Sequence, residues 1–333
     1  MPDTAAALFQ KPHGEKHRSD TGGQDGMDDR GQKIRRVTAL GFFDGLHLGH
    51  QAVIRRAVEI AAETGAAPCI LTFDRRPKNV ARNESAELLT DRRAKAVLAA
   101  ALFPGVELIE LSFDANLKSM QWQAFATEIL QQKLNTVCAV SGRSFRFGQG
   151  GCGTPPMLRR ILAAETVGEV HFGGRSVSST RIRALIRNGE IEAANRLLGH
   201  PHTIVGPSVR GDGRGRQLGF ATLNLDLAAG LVRPRAGVYV SAVRLKGRLY
   251  RSITNFGTRP TFYENGVFDC ETHIFDFNGQ SYGEEAELLL YAFIREERRF
   301  SDRDALVRQI TADVETAKRF EISDGGSGKG ESL

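Results

Sequence analysis

The chain has 333 residues, 41% of them hydrophobic, with 45 Lys+Arg against 39 Asp+Glu and a formal net charge of +6. At about 100–200 residues per domain, that length predicts two ordinary globular domains. The modest positive excess suits polyphosphate substrates, RNA or a plain solvated surface equally, so charge alone selects no partner.

In chain order, residues 1–33 mix both charges with Gly, Asp and His and are expected to be a disordered leader without a signal-peptide core. RRVTALGFF, from Arg35, reads as a buried strand. Asp44 and Gly45 make a turn, and Val53, Ile54, Ala57, Val58 and Ala61 mark a helix from about Leu48 that Gly65 stops. APCILTF is a second buried strand, so the first half is expected to be a parallel α/β sheet. A strand at Val106–Leu111, a helix at Met120–Lys133, a strand at Thr136–Val140, a short strand at 167–172 and helices at 179–188 and 190–198 follow. Ala96–Phe103, the longest apolar run, is too short to cross a membrane. Beyond LLGHPH at 197–202, short alternating runs separated by Gly (237–245, 248–256, 271–277, 286–294) predict an antiparallel barrel. A last helix is expected with Ser301 as N-cap, Asp304 behind it, and Leu306, Ile310, Val314 and Ala317 on one face. Residues 321–333 are expected to be a flexible tail. Cys69, Cys138, Cys152 and Cys270 form no CxxC pair, which points to reduced thiols and a cytoplasmic location.

Two segments of the first half carry chemistry. In GFFDGLHLGH (41–50), Gly41, Phe43, Asp44 and Gly45 form the turn, Gly49 leaves room, and His47 and His50 fall three residues apart at a helix start. Helix-terminal N–H groups, two imidazoles and glycine clearance suit the phosphates of ATP and attack on its α-phosphorus. Read singly, HxGH would also fit two surface histidines; its place directly after a buried strand and an FDG turn favours the site. In SVSSTRIRALIRNGE (176–190), Ser178, Ser179 and Thr180 offer hydroxyls at a helix start, and Arg181 and Arg183 can reach phosphates. Together the two segments resemble the nucleotidyltransferase superfamily.

The second half offers GDGRGRQLGFATLN (211–224). Gly211, Gly213, Gly215 and Gly219 allow close backbone approach to phosphates, and Arg214 and Arg216 add charge. Thr222 and Asn224 alternate on a strand, so both face one way, as two neutral oxygen ligands of Mg²⁺ would; read alone, the segment fits a flexible hairpin loop and an ordinary strand equally well. Glu271, in CETHIFDF, is either a solvated outer-face residue or a base against a substrate hydroxyl.

The glycine loop, NFGTRPTF (255–262) and CETHIFDF, in this order and spacing, resemble flavokinases. With the first half, the resemblance to the bacterial bifunctional riboflavin kinase/FMN adenylyltransferase (FAD synthetase) family covers roughly residues 34–320. It implies an FMN adenylyltransferase domain of Rossmann-like nucleotidyltransferase fold at 34–199. It further implies a riboflavin kinase β-barrel with a closing helix at 200–320. Glu271 would be the kinase base, Thr222 and Asn224 would hold Mg²⁺ and the ATP phosphates, and the glycine loop would cover them. His47 and His50 would stabilise adenylyl transfer, and Ser179, Thr180 and Arg183 would grip the departing phosphates. The implied partners are riboflavin, FMN, FAD and ATP, with neither nucleic acid nor membrane; self-association is compatible with the sequence.

Three motifs depart from the family pattern. TFxPHP reads TFDRRP, with Arg75 and Arg76; the G-x-(Asp/Asn)-F-x-FG motif reads GRSFRFG, with Ser144; and P-T-x-N reads ATLN, with Ala221. Ser144 and Arg76 motivate an alternative, a riboflavin kinase with a degenerate nucleotide-binding N-terminal domain. An RNA-binding enzyme is a second rival, disfavoured by the lack of a basic-aromatic stripe. GQGGCG (148–153) lacks the βαβ context of a dinucleotide fingerprint. Trp122 and Phe125 are expected in the core, and His171 and His273 as structural histidines.

Overall fold

The computed structural model describes residues 32–75, 87–209, 222–259, 267–277, 279 and 282–322. These fall into two compact units: a sheet unit of 32–75 and 96–177, and a barrel unit of 87–95 and 178–322.

The sheet unit is built on five parallel strands: β1 (Arg36–Leu40), β2 (Ala67–Phe73), β3 (Glu107–Leu111), β4 (Thr136–Gly142) and β5 (Ala163–Val167). Their order is β3-β2-β1-β4-β5, so the winding reverses between β1 and β4. Both faces are covered, which is why β1 and β2 read as continuous apolar runs. On one face, Val53, Ile54, Ala57 and Ile60 of α1 (Leu48–Thr64) pack on Val37, Ala39, Ile70 and Val140 with Leu98 and Ala99 of α2 (Arg92–Leu102). On the other, Phe125, Ala126 and Leu130 of α3, a π-helical run at Phe125–Lys133, pack on Leu40, Leu71, Phe73 and Ala139. Gly65 ends α1 in the left-handed region at φ 61°, as the sequence predicts.

The short strand expected at 167–172 resolves differently. The fifth strand is Ala163–Val167, and His171–Phe172 (β6) pairs with Arg175–Ser176 (β7) as a two-residue hairpin. Gly173 and Gly174, both at positive φ, turn the chain there. His171 is correspondingly exposed, whereas Phe125 is core and Trp122 packs at its margin.

In the barrel unit, α4 (Ser179–Arg187) and α5 (Ile191–Leu198) precede six strands: β8 (His202–Val209), β9 (Thr222–Leu225), β10 (Gly237–Leu245), β11 (Arg248–Arg259), β12 (Val267–Ile274) and β13 (Glu285–Arg295). They close in the order β10-β11-β12-β9-β8-β13, each neighbour antiparallel. Strand alternation decides what faces where. Val238, Val240 and Ala242 pack outward on Ile310, Val314 and Ala317 of α6 (Arg303–Arg319). Ser241, Ser252, Thr254 and Thr272, of opposite parity, are fully buried inside and bond to one another at 2.8–2.9 Å, which satisfies each hydroxyl without water. The N-cap of α6 is Asp302 rather than Ser301. Asp302 Oδ1 accepts the Ala305 N–H at 2.7 Å, while Ser301 Oγ donates to the other oxygen.

Candidate functional site

The turn after β1 sits at the carboxyl end of the sheet, where strand order reverses, the place a doubly wound sheet opens a crevice. Phe43 (φ 53°), Gly45 (φ 79°) and Leu46 (φ 42°) all adopt left-handed conformations, a costly tight turn for two non-glycine residues. Thr72 Oγ1 braces it by donating to the Phe42 carbonyl at 2.9 Å, and Gln51 Nε2 donates to the Leu46 carbonyl at 2.9 Å. Gly41 lies under the Phe43 ring, and Asp44 is 3% exposed.

His47 is the N-cap of α1, and its Nδ1 accepts the His50 N–H at 3.3 Å. That bond puts the neutral ring's proton on Nε2, which makes that nitrogen a donor. The two imidazoles stack at 3.6 Å with 15° between planes, and Phe43 meets His50 edge-on at 5.4 Å. A side chain at position 49 would approach the His47 ring at 3.2 Å, so glycine there keeps the stack intact. The i, i+3 spacing thus gives a stacked pair rather than two independent side chains.

Ser144 is exposed in the turn after β4, the strand next to β1. Arg75 is exposed just past β2, its Nε 3.9 Å from Asp74. Arg76 lies outside the described residues. In the barrel unit, Ser178 caps α4 through the Arg181 N–H, and Ser179 and Thr180 fill its first turn. Arg183 is 6% exposed and donates to Thr180 Oγ1 at 3.3 Å. Each of these is placed within its own unit.

The barrel brings together residues that are far apart in sequence. Glu271 of β12 lies directly across from Asn224 of β9 on one side and from Asn255 of β11 on the other; His273 lies across from Thr222. Directly opposed residues point to the same face, and this parity is the outer one, since Cys270 and Thr272 are fully buried inside. Thr222, Asn224, Glu271, His273 and Asn255 therefore share one outer face. Asn224 is 6% exposed, and its Oδ1 finds no hydrogen-bond partner among the described residues, an open acceptor of the kind a hard cation takes. Among the described residues no group of three or more His, Cys, Asp or Glu could hold a metal ion.

Gly211, Gly213, Gly215, Arg216, Gly219 and Ala221 lie outside the described residues. The place of Asn255 across from Glu271 is what sequence reasoning missed, although NFGTRPTF carried the residue. Alternation along a strand gives a side chain's face but not its cross-strand neighbour.

Residues 29–181 match the FAD synthetase family and residues 198–321 the riboflavin kinase family. A Listeria monocytogenes protein named bifunctional riboflavin kinase/FMN adenylyltransferase is 35% identical over 294 residues, 86% of this chain and 93% of its own. A Bacillus subtilis protein of the same name is 35% identical over 298 residues, covering 87% and 93%. A crystal structure from Streptococcus pneumoniae, described as a macrolide-efflux protein, superposes with a TM-score of 0.76 at 32% identity, covering 87% of this chain and 96% of that one. Among the described residues no helix is long and apolar enough to cross a membrane.

Proposed function

The chain belongs to the bifunctional riboflavin kinase/FMN adenylyltransferase family, and from that membership we propose how its residues divide the two reactions. It is an enzyme that phosphorylates riboflavin to FMN with ATP and adenylylates FMN to FAD, releasing pyrophosphate. The relatives' names carry both activities and give no support to a kinase with a decayed appendage.

The observation that supports the kinase reading best is the register that seats Glu271 between Asn224 and Asn255. Glu271 accepts the proton of the terminal ribityl hydroxyl as its oxygen attacks the γ-phosphorus, and ADP leaves. Thr222 and Asn224 would hold Mg²⁺ and the ATP phosphates. The cation, when bound, neutralises charge on the phosphates.

For the second reaction the FMN phosphate attacks the α-phosphorus of another ATP. His47 donates from Nε2 to the oxygen where charge develops; His50, stacked on it, shares that charge. Ser179, Thr180 and Arg183 grip the leaving pyrophosphate. We assign 34–199 to the adenylyltransferase and 200–320 to the kinase, and place the protein in the cytoplasm. Incubation with riboflavin and Mg-ATP, followed by separation of riboflavin, FMN and FAD, tests the whole reading: FMN and then FAD should accumulate, and FMN alone would defeat the second half.

A further inference from the structure

We infer that Asn255, held by Glu297, is the residue with which this kinase recognises the secondary hydroxyls of the ribityl chain; the inference rests on Glu271 being the base. Asn255 stands directly across from Glu271 on the neighbouring strand, one strand spacing of about 4.8 Å away and on the same face. Its Nδ2 donates to Glu297 Oε1 at 3.2 Å. Among the described residues nothing donates to its Oδ1. A carboxylate can only accept, so the amide's orientation is fixed: nitrogen toward Glu297, oxygen left as an acceptor on the Glu271 face.

Glycine at 257 makes this arrangement possible. Residues 255 and 257 share a face, and a Cβ on Gly257 would collide with Glu297 Oε1, so Glu297 lies over bare backbone to reach Asn255. Glu271 is thus flanked by two amides with open oxygens, Asn224 Oδ1 on one side and Asn255 Oδ1 on the other. The two differ in burial: Asn224 is buried, as suits a ligand of phosphate-bound cation, and Asn255 is half-exposed. A hydroxyl reacting at Glu271 sits at the end of a polyol whose next hydroxyls extend along this row. Asn255 Oδ1 accepts from one of them. Glu297 is a positioning residue, acting through Asn255.

The test uses the full chain and the initial rate of riboflavin phosphorylation. It reads the KM for riboflavin and the Ki of a flavin analogue whose N10 substituent is an unbranched hydroxypentyl chain. That analogue keeps the terminal hydroxyl and lacks the secondary ones. Asn255→Ala should raise the riboflavin KM about 10-fold, the scale of one hydrogen bond in a substrate site, and change the analogue's Ki less than about twofold. Glu297→Ala and Gly257→Ala, which release or displace the pin, should raise the same KM a few-fold, and Glu297→Gln, which keeps the acceptor, should recover most of it. A parallel rise for both flavins, or no rise for either, overturns the inference, and the Gly257 and Glu297 variants carry the test if Asn255→Ala does not fold. Glu271→Gln in the same assay separates the two layers: if it leaves FMN formation intact, the base assignment fails independently of Asn255.

Discussion

Glu271→Gln keeps the shape of the side chain and removes its ability to take a proton. FMN formation should fall about 10²–10⁴-fold, while adenylylation of supplied FMN stays near the parent rate. Near-normal FMN formation would remove Glu271 from the mechanism. The complementary pair is His47→Ala and His50→Ala, each expected to abolish FAD production from FMN and Mg-ATP and to spare the kinase. Loss of kinase activity in the same variants would mean that the stacked pair serves the fold instead. These residues were legible in the sequence because their signals are local: HxGH is one helical turn, and Thr222 and Asn224 are one strand period apart. What was not legible depends on partners distant in sequence. The Nε2–H tautomer of His47 follows from a bond to the His50 amide, and the pinning of Asn255 follows from a glutamate 42 residues away.

Segments that read clearly from sequence are those with one buried stripe or a strong stop, such as α1 with Gly65. The misplaced fifth strand has a different cause. Residues 163–167 (AAETV) are largely half-exposed at a sheet edge, so their apolar signal is weak, while VGEVHF alternates well but forms only the margin of a hairpin. The last helix was found, but its attachment was not. Arg295 at the end of β13 donates to both oxygens of Asp313 at 2.7–3.1 Å, and Gln309 adds a bond at 2.7 Å. Asp313 is 2% exposed, so Asp313→Ala leaves a largely desolvated guanidinium and should cost the barrel unit about 3 kcal/mol, read as a lower urea midpoint. His202, which begins β8, gives a pH prediction. Burial, and secondarily His200, pushes its pKa down from 6.5 to about 3, and its Nε2 has no partner among the described residues. The fold therefore holds it neutral while the unfolded chain protonates it, so stability is full above pH 6.5 and is lost as pH falls toward 3. By pH 5 the loss should be about 2 kcal/mol. His202→Phe should flatten that part of the profile; an unchanged acid dependence would show that other groups set it.

Where the chain can be cut follows from which residues complete the barrel unit. A boundary at 199/200, drawn from the change in sequence texture, would begin a kinase fragment at His200. The barrel unit also contains α4, α5 and residues 87–95. Ile191, Ala194, Leu197 and Leu198 of α5 are each at most 1% exposed, and Asn195 bonds to both the Leu290 carbonyl and the His202 amide at 2.8–2.9 Å. Cutting at His200 removes that helix, orphans a ladder carbonyl and uncovers apolar surface on β13. Residues 87–95 also belong to it: Glu87 pairs with Arg187, Leu88 exchanges backbone bonds with Gly230 and Val232, and Leu89 and Ala94 are each 1% exposed. The exposed ion pair adds at most about 1 kcal/mol, and fragments beginning at 178 and at 200 both lack the segment, so α5 is what separates them. A fragment of residues 178–322 should accordingly be soluble, unfold cooperatively and phosphorylate riboflavin, whereas 200–322 should aggregate or melt well below it. Texture shows where one fold pattern ends, but not which helix of the preceding stretch covers the next core. Equal thermal midpoints and equal kinase rates for the two fragments would show that α5 adds nothing the barrel needs.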